Sequence, residues 1–251
     1  GTAPARHPQS QDTEAGPQMI PGVKALTFDT GGTILDWHRG VAAALAAAGK
    51  RRGIAADWAE ATNEYRRRAL KGMTRQVRPD FNIDDVHRRV LDELIAEAGW
   101  SAFTAEDRAA IQGAWHALDA WPDFPAALAR LRRRHVVASF TILSTSLIVD
   151  VSRRNGIDWD CVVSCEMIGS YKPNQDSYVT CAKWLSYRPE EIVMVACHNF
   201  DLLAARQAGY RSAFVRRPDE WGAAGPPDPR PDPAHDIIVD DFGQLADRLG
   251  C

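Results

Sequence analysis

The sequence predicts an α/β protein: a doubly wound parallel sheet of Rossmann-like type, with four helices inserted after its first strand. Three observations predict it. From residue 122 onward, short apolar strand-like runs alternate with segments of helical period, the pattern of a parallel sheet wrapped by helices. One isolated apolar run, "VKALTF" (23–28), precedes residues 40–120, which read as helical throughout. Several strand-like runs end in polar residues, as strands do where a parallel sheet opens onto a ligand crevice.

The elements follow in order. Residues 23–28 are a short buried strand. "VAAALAAAGK" is a strong helix former ending near Gly49. Asp57 N-caps a helix that stops at Gly72. "NIDDVHRRVLDELIAEAG" lines Ile83, Val86, Val90, Leu91, Leu94 and Ile95 on one face and stops at Gly99. A Thr-x-Glu-Asp cap at Thr104 opens a fourth helix, which closes at "WPDFP". Helices over 123–134, 147–155, 175–186 and 200–208 then alternate with strands over 136–144, 161–166, 192–197 and 211–217. A short strand at 236–239 precedes a terminal helix. This divides the chain into a catalytic core (20–37 and 122–251) and a helical cap (38–121). Residues 1–19 are polar and read as a disordered extension, and 218–235 as a Pro-rich surface loop.

Bulk composition narrows the function. A net charge of −3 on 251 residues argues against a nucleic-acid surface; the arginine clusters at 65–70 and 130–135 each have a plain reading as a solvated helix face, preferred for the second. No apolar run is long enough to cross a membrane, and no segment has the order of a signal peptide. Five cysteines without framework spacing suit a reducing, cytoplasmic compartment. Cys161 and Cys165 read as buried thiols, since no second Cys/His pair completes a zinc site.

The chemistry sits at the strand ends: Asp29, Ser144 with Thr145, the segment around Lys172, and "CHNFD" (197–201). Singly each has a plain reading. A strand-end Asp is a helix N-cap, Ser-Thr-Ser a turn, and a Lys before Pro173 a solvated side chain. Convergence of all four in one crevice points to a site. In order and spacing, "FDTGGTILD", "ILSTS", "YKPNQDSY" and "VACHNFDLLAARQAGY" resemble the four motifs of the haloacid dehalogenase superfamily. The resemblance covers residues 23–250 and includes the helical insert.

That resemblance implies Asp29 as nucleophile, Thr33 beside it, Lys172 holding Asp29 ionised, and Asp201 orienting the hydrolytic water. The superfamily's phosphatases carry an acid at Gly31 and an Asp at Cys197. Both are absent, and a thiol is a poor magnesium ligand. The branch lacking both is the type II 2-haloacid dehalogenases, so the implied reaction is metal-independent, cofactor-free displacement of halide through an aspartyl ester. In that branch Arg66 draws in the halide, with Arg67 or Arg68 as alternatives. Ser144, with backbone amides near Thr30, Gly31 and Thr145, binds the substrate carboxylate. Tyr178 supports the site, His198 and Asn199 stand near water and halide, and Phe200 lines the halide pocket. Helix packing for Tyr178, a surface role for Arg66 and a core role for His198 stay open at this point. Implied partners are a small carboxylate substrate and a halide product, with a homodimer as an option. Rival readings are hydrolysis of another C–X bond, a phosphatase with a degenerate metal site, and a non-catalytic anion-binding module.

Overall fold

Strand β1 (Ala25–Phe28) is buried on both faces, which is why its sequence is a near-continuous apolar run. Two strands flank it in parallel: Ala25 lies opposite Val136 of β2 (Val136–Thr141) on one side and Ile192 of β4 (Ile192–Ala196) on the other. With β3 (Cys161–Ser164), β5 (Arg211–Val215) and β6 (Ile237–Val239), the order in this computed structural model is β3-β2-β1-β4-β5-β6. The chain moves outward from β1 to β3, then returns to the far side of β1 at β4. That reversal opens a crevice beyond the carboxyl ends of β1 and β4. The structure describes residues 20–79, 81–226 and 229–251, so the disorder expected of residues 1–19 lies outside the described residues.

Four inserted helices follow β1: α1 (Trp37–Arg52), α2 (Trp58–Met73), α3 (Ile83–Glu97) and α4 (Ala105–Gly113), the last continuing into a 3-10 turn at Ala114–Ala117. Their caps are as the sequence predicts. Asp57 accepts from the Glu60 amide, and Thr104 and Asp107 form a reciprocal capping box. The ends shift: α2 runs one residue past Gly72, and the fourth helix gives way to the 3-10 turn before the "WPDFP" segment. Helix α1 runs past Gly49 to Gly53, whose φ of 67° ends it. Gly49 stays helical because the Trp58 indole lies against it; a Cβ there would sit 2.1 Å from that ring.

After the insert come α5 (Phe124–Leu131), α6 (Thr145–Asn155), the single turn α7 (Cys165–Ile168), α8 (Gln175–Leu185), α9 (Asn199–Gln207) and α10 (Phe242–Arg248). They cover both faces of the sheet. Phe28 packs with Phe124, Trp159 and Phe242 on one face, while Phe140 packs edge-on to Tyr178 on the other. No described helix is long and apolar enough to cross a membrane. The Phe28 cluster anchors the strand that bears Asp29. Phe28→Ala is expected to cost about 3–5 kcal/mol in urea unfolding; a loss below about 1 kcal/mol would show that this cluster does not anchor the core.

Candidate active site

The chain leaves β1 at Asp29 and turns tightly, with the Ile34 and Leu35 amides both donating to the Thr30 carbonyl. The loop is braced from outside. Arg217 donates to the Thr33 carbonyl at 2.9 Å while forking onto Asp123, and the Trp121 indole donates to the Gly32 carbonyl at 2.8 Å. Inside it, the Thr33 hydroxyl donates to Asp29 Oδ2 at 2.7 Å. Gly32 has φ 93°, and a Cβ there would fall 1.9 Å from Glu220 Oε1. Both the left-handed backbone and the close carboxylate require glycine.

Lys172 lies between two carboxylates, its Nζ 2.9 Å from Asp29 Oδ1 and 2.6 Å from Asp201 Oδ2. Tyr178 donates to the other Asp201 oxygen at 2.6 Å. All four side chains are buried. Burial alone would raise the Asp29 carboxyl, but Lys172 and His198 overcome it and hold Asp29 far below the ordinary carboxylate range. Burial and the neighbouring Asp29 push Asp201 upward against the pull of Lys172. Burial opposes the Lys172 charge too, but its two carboxylates outweigh that and keep it an ammonium.

Across from Asp29 lies Arg66, on α2 and only 2% exposed, which removes the surface reading for this residue. Its guanidinium carbon is 5.5 Å from the Trp37 ring centre and 5.6 Å from that of Trp115. Nε and Nη1 have no hydrogen-bond partner among the described residues. Gly31 makes room for it: a Cβ at residue 31 would meet Arg66 Nη2 at 2.8 Å. Asp29, Gly31, Arg66, Lys172 and His198 enclose a cavity of about 20 Å³, closed further by Leu70, Ile142 and Phe200. It holds about one water-sized sphere.

His198 bridges two acids. Nδ1 is 3.2 Å from Asp29 Oδ2 and Nε2 is 3.0 Å from Glu220 Oε1. Burial disfavours the imidazolium, but Cys197, Glu220 and Asp29 raise the ring's affinity for a proton well above normal. Glu220 also accepts from the Trp37 indole at 3.2 Å. These placements make a buried, ionised carboxylate facing an unsaturated cation across a small cavity, an arrangement suited to displacement by Asp29 and capture of an anion.

A family model for haloacid dehalogenase-like hydrolases matches residues 23–209. The chain belongs to that family. Among solved structures, L-2-haloacid dehalogenase PA0810 is 31% identical, with a TM-score of 0.83 over 91% of this chain and 100% of that one. The defluorinating L-2-haloacid dehalogenase Rha0230 is 30% identical, with a TM-score of 0.85 over 94% of this chain and 100% of that one. The Xanthobacter autotrophicus L-2-haloacid dehalogenase with chloropropionic acid covalently bound shares the fold at 21% identity, with a TM-score of 0.74 over 91% and 98% of the two chains. No curated protein matches the sequence.

In this haloacid dehalogenase-like hydrolase, Asp29, Gly31, Arg66, Lys172, His198, Phe200 and Asp201 meet at one cavity, with Thr33 and Tyr178 behind them. Four expected residues do not line it. Ser144 N-caps α6 and donates to Asp84 of the cap at 2.7 Å. The Thr145 amide donates to Glu166, and Thr30 pairs its hydroxyl with Thr141. Asn199 binds the Arg230 carbonyl, the Asp232 amide and His235, so it fastens the Pro-rich segment instead of facing the cavity. Cys165 is buried as expected, but Cys161 is partly exposed.

The residue that sequence reading missed is Glu220, assigned to a surface loop yet 4% exposed. The available signal was the neighbouring Trp221, an aromatic in a polar stretch, which packs edge-on to Trp37 at 4.9 Å. Magnesium does not suit these donors. Lys172 occupies an oxygen of both Asp29 and Asp201, and the thiol at residue 197 is soft where a hard oxygen is needed. Because Lys172 compensates two buried carboxylates, Lys172→Met is expected to destabilise the hydrolase by about 3–5 kcal/mol in chemical denaturation. A change below about 1 kcal/mol would mean the triad is not a buried ion cluster.

Proposed function

We propose that this hydrolase removes halide from a small 2-haloalkanoate without a metal, through an ester on Asp29. The observation that carries the reading is the pairing of ionised Asp29 with the unsaturated Arg66 guanidinium across the cavity, where Gly31 leaves no carboxylate between them. An acid at residue 31 would serve a poor leaving group such as a phosphate ester oxygen. Chloride or bromide leaves as a weak base and needs an anion cradle instead. The two relatives at 30–31% identity are L-2-haloacid dehalogenases, and one is defluorinating, which supports halide as the leaving group and makes fluoride worth testing.

In the first step an Asp29 oxygen attacks C2 from the face opposite the halogen. The Asp29 O–C2 bond forms, the C2–X bond breaks with its electron pair, and halide departs towards Arg66. Lys172 keeps Asp29 ionised at no cost from bulk pH. In the second step water adds to the Asp29 carbonyl carbon, releasing the 2-hydroxy acid and a proton and restoring the carboxylate. Asp201, fixed by Lys172 and Tyr178, orients that water. Inversion at C2 follows from backside attack. The cap supplies Arg66 and excludes water from the first step. The cavity admits a substrate only after the cap opens, and its small volume favours two- and three-carbon acids.

Halide release from fluoroacetate, chloroacetate and the two 2-chloropropionate enantiomers, with EDTA throughout, tests the reading. Release is expected for chloroacetate and one enantiomer. A single turnover in ¹⁸O-water is expected to label Asp29 rather than the first product molecule, and Asp29→Asn is expected to abolish turnover. Label appearing in the product at the first turnover would eliminate the ester. Because the Asp29 pKa is depressed, its ionised fraction is complete throughout about pH 5–9, so the halide burst is expected to be flat there. A burst that falls as pH drops towards 5 would show that Lys172 does not hold the charge. Gly31→Asp forces Arg66 aside and is expected to slow the burst about 10–100-fold, matching about 1–3 kcal/mol of overpacking; an unchanged burst would separate Arg66 from the leaving group.

A further inference from the structure

Beside Asp29, three donor atoms of types that bind soft divalent metals face one another. They come from Cys197 and His198, at the end of β4, and from Glu220, in the loop after β5. Cys197 Sγ is 3.3 Å from His198 Nε2 and 3.6 Å from Glu220 Oε2, and Nε2 is 3.0–3.1 Å from the two Glu220 oxygens. Tetrahedral zinc with ordinary bond lengths spaces S, N and O donors about 3.4–3.6 Å apart, so a small adjustment of this triangle accommodates the ion. The imidazole orientation fits as well. Nε2 faces both other donors, while Nδ1 faces Asp29 at 3.2 Å, giving the carboxylate–histidine–metal order that fixes a ring for ligation. Gly32 lets Glu220 approach, since any side chain there would displace the carboxylate.

We propose that Cys197, His198 and Glu220 form a three-ligand site for zinc or a similar thiophilic divalent cation, with its fourth position left to solvent or a small anion. Binding displaces a proton from the Cys197 thiol and from the His198 ring, and forms one metal–sulfur, one metal–nitrogen and one metal–oxygen bond with no change of oxidation state. The site includes the position where phosphatases carry an Asp, but its thiolate and imidazole donors suit zinc rather than magnesium, which depends on hard oxygens. Its effect on the reaction proposed above is inhibitory. The ion takes Glu220 from the histidine, holds Nδ1–H on Asp29, and brings a dication beside the nucleophile. That effect rests on the dehalogenase reading, whereas the binding does not.

The test uses the full chain, stripped with EDTA, desalted and titrated with cobalt(II) and then zinc. One equivalent of cobalt is expected to give a thiolate-to-cobalt charge-transfer band that zinc erases. Cys197→Ser is expected to remove the band, while Cys161→Ser and Cys165→Ser retain it. Glu220→Gln is expected to weaken zinc binding at least about tenfold, the scale seen when a site's supporting carboxylate is lost. Anomalous scattering at the zinc edge from a zinc-soaked wild-type crystal gives a readout that does not depend on any variant folding; the ion is expected between the three side chains. A band that survives Cys197→Ser, or no ion there at saturating zinc, overturns the site. Binding with unimpaired halide release would retain the site and remove the inhibitory effect. Binding in a protein that releases no halide at all would leave the site standing and overturn the dehalogenase reading alone.

Discussion

One ammonium group organises the centre of this molecule. Lys172 holds Asp29 and Asp201 within hydrogen-bonding distance, and each carboxylate comes from a different side of the sheet's reversal point. Without that cation, two buried carboxylates would repel each other and take up protons, and neither could act as a base or nucleophile near neutral pH. With it, the cluster is electrically settled before any substrate arrives. The remaining charges follow the same logic: Glu220 compensates His198, and Arg66 rests on two indole faces. Among the described residues lining the cavity, Arg66 keeps two buried donors, Nε and Nη1, without partners, and that corner suits an anion.

The cap and the core are joined around Arg66. Trp37 begins the first cap helix, touches Arg66 and donates to Glu220, so one indole links the cap, the cation and the distal loop. Trp115 stacks on Trp37 from the cap side and carries His87 on its other neighbour position, with ring centres 3.9 Å apart. This aromatic series fixes where Arg66 projects. A second tie, from Ser144 to Asp84, crosses the same junction and uses the hydroxyl expected to receive a substrate carboxylate. That hydroxyl therefore serves cap docking.

Much of the architecture was legible because it rests on local rules. Alternating apolar runs gave the parallel sheet, and Asp57 and Thr104 announced their helices through side-chain caps. Asp29, Lys172 and Asp201 were legible through their motifs as strand-end residues of one crevice, and Lys172 contacts both carboxylates. What escaped depends on distance in sequence. Glu220 lies in a Pro-rich stretch whose composition speaks only of a loop, and its burial is caused by Trp37, His198 and Gly32 far upstream. Ser144 and Asn199 were placed correctly along the chain, but their side chains turn to nearer partners, Asp84 and the 230–235 segment. Gly49 misled for a related reason: an indole from the next helix, not backbone freedom, accounts for it.

The position of β1 has a consequence for how the site comes into being. Of the six described sheet strands the one carrying Asp29 comes first in sequence, yet its two sheet neighbours begin at residues 136 and 192. Its pairings are long-range and close large loops, while the cap helices rely on contacts near in sequence. A nascent chain can therefore complete its cap before Asp29 has either flanking strand. Lys172, Asp201 and finally Glu220 emerge in that order, so every fragment ending before residue 220 lacks part of the charge balance around Asp29. The Asp29 carboxylate reaches its finished electrostatic setting only once residue 220 has been made.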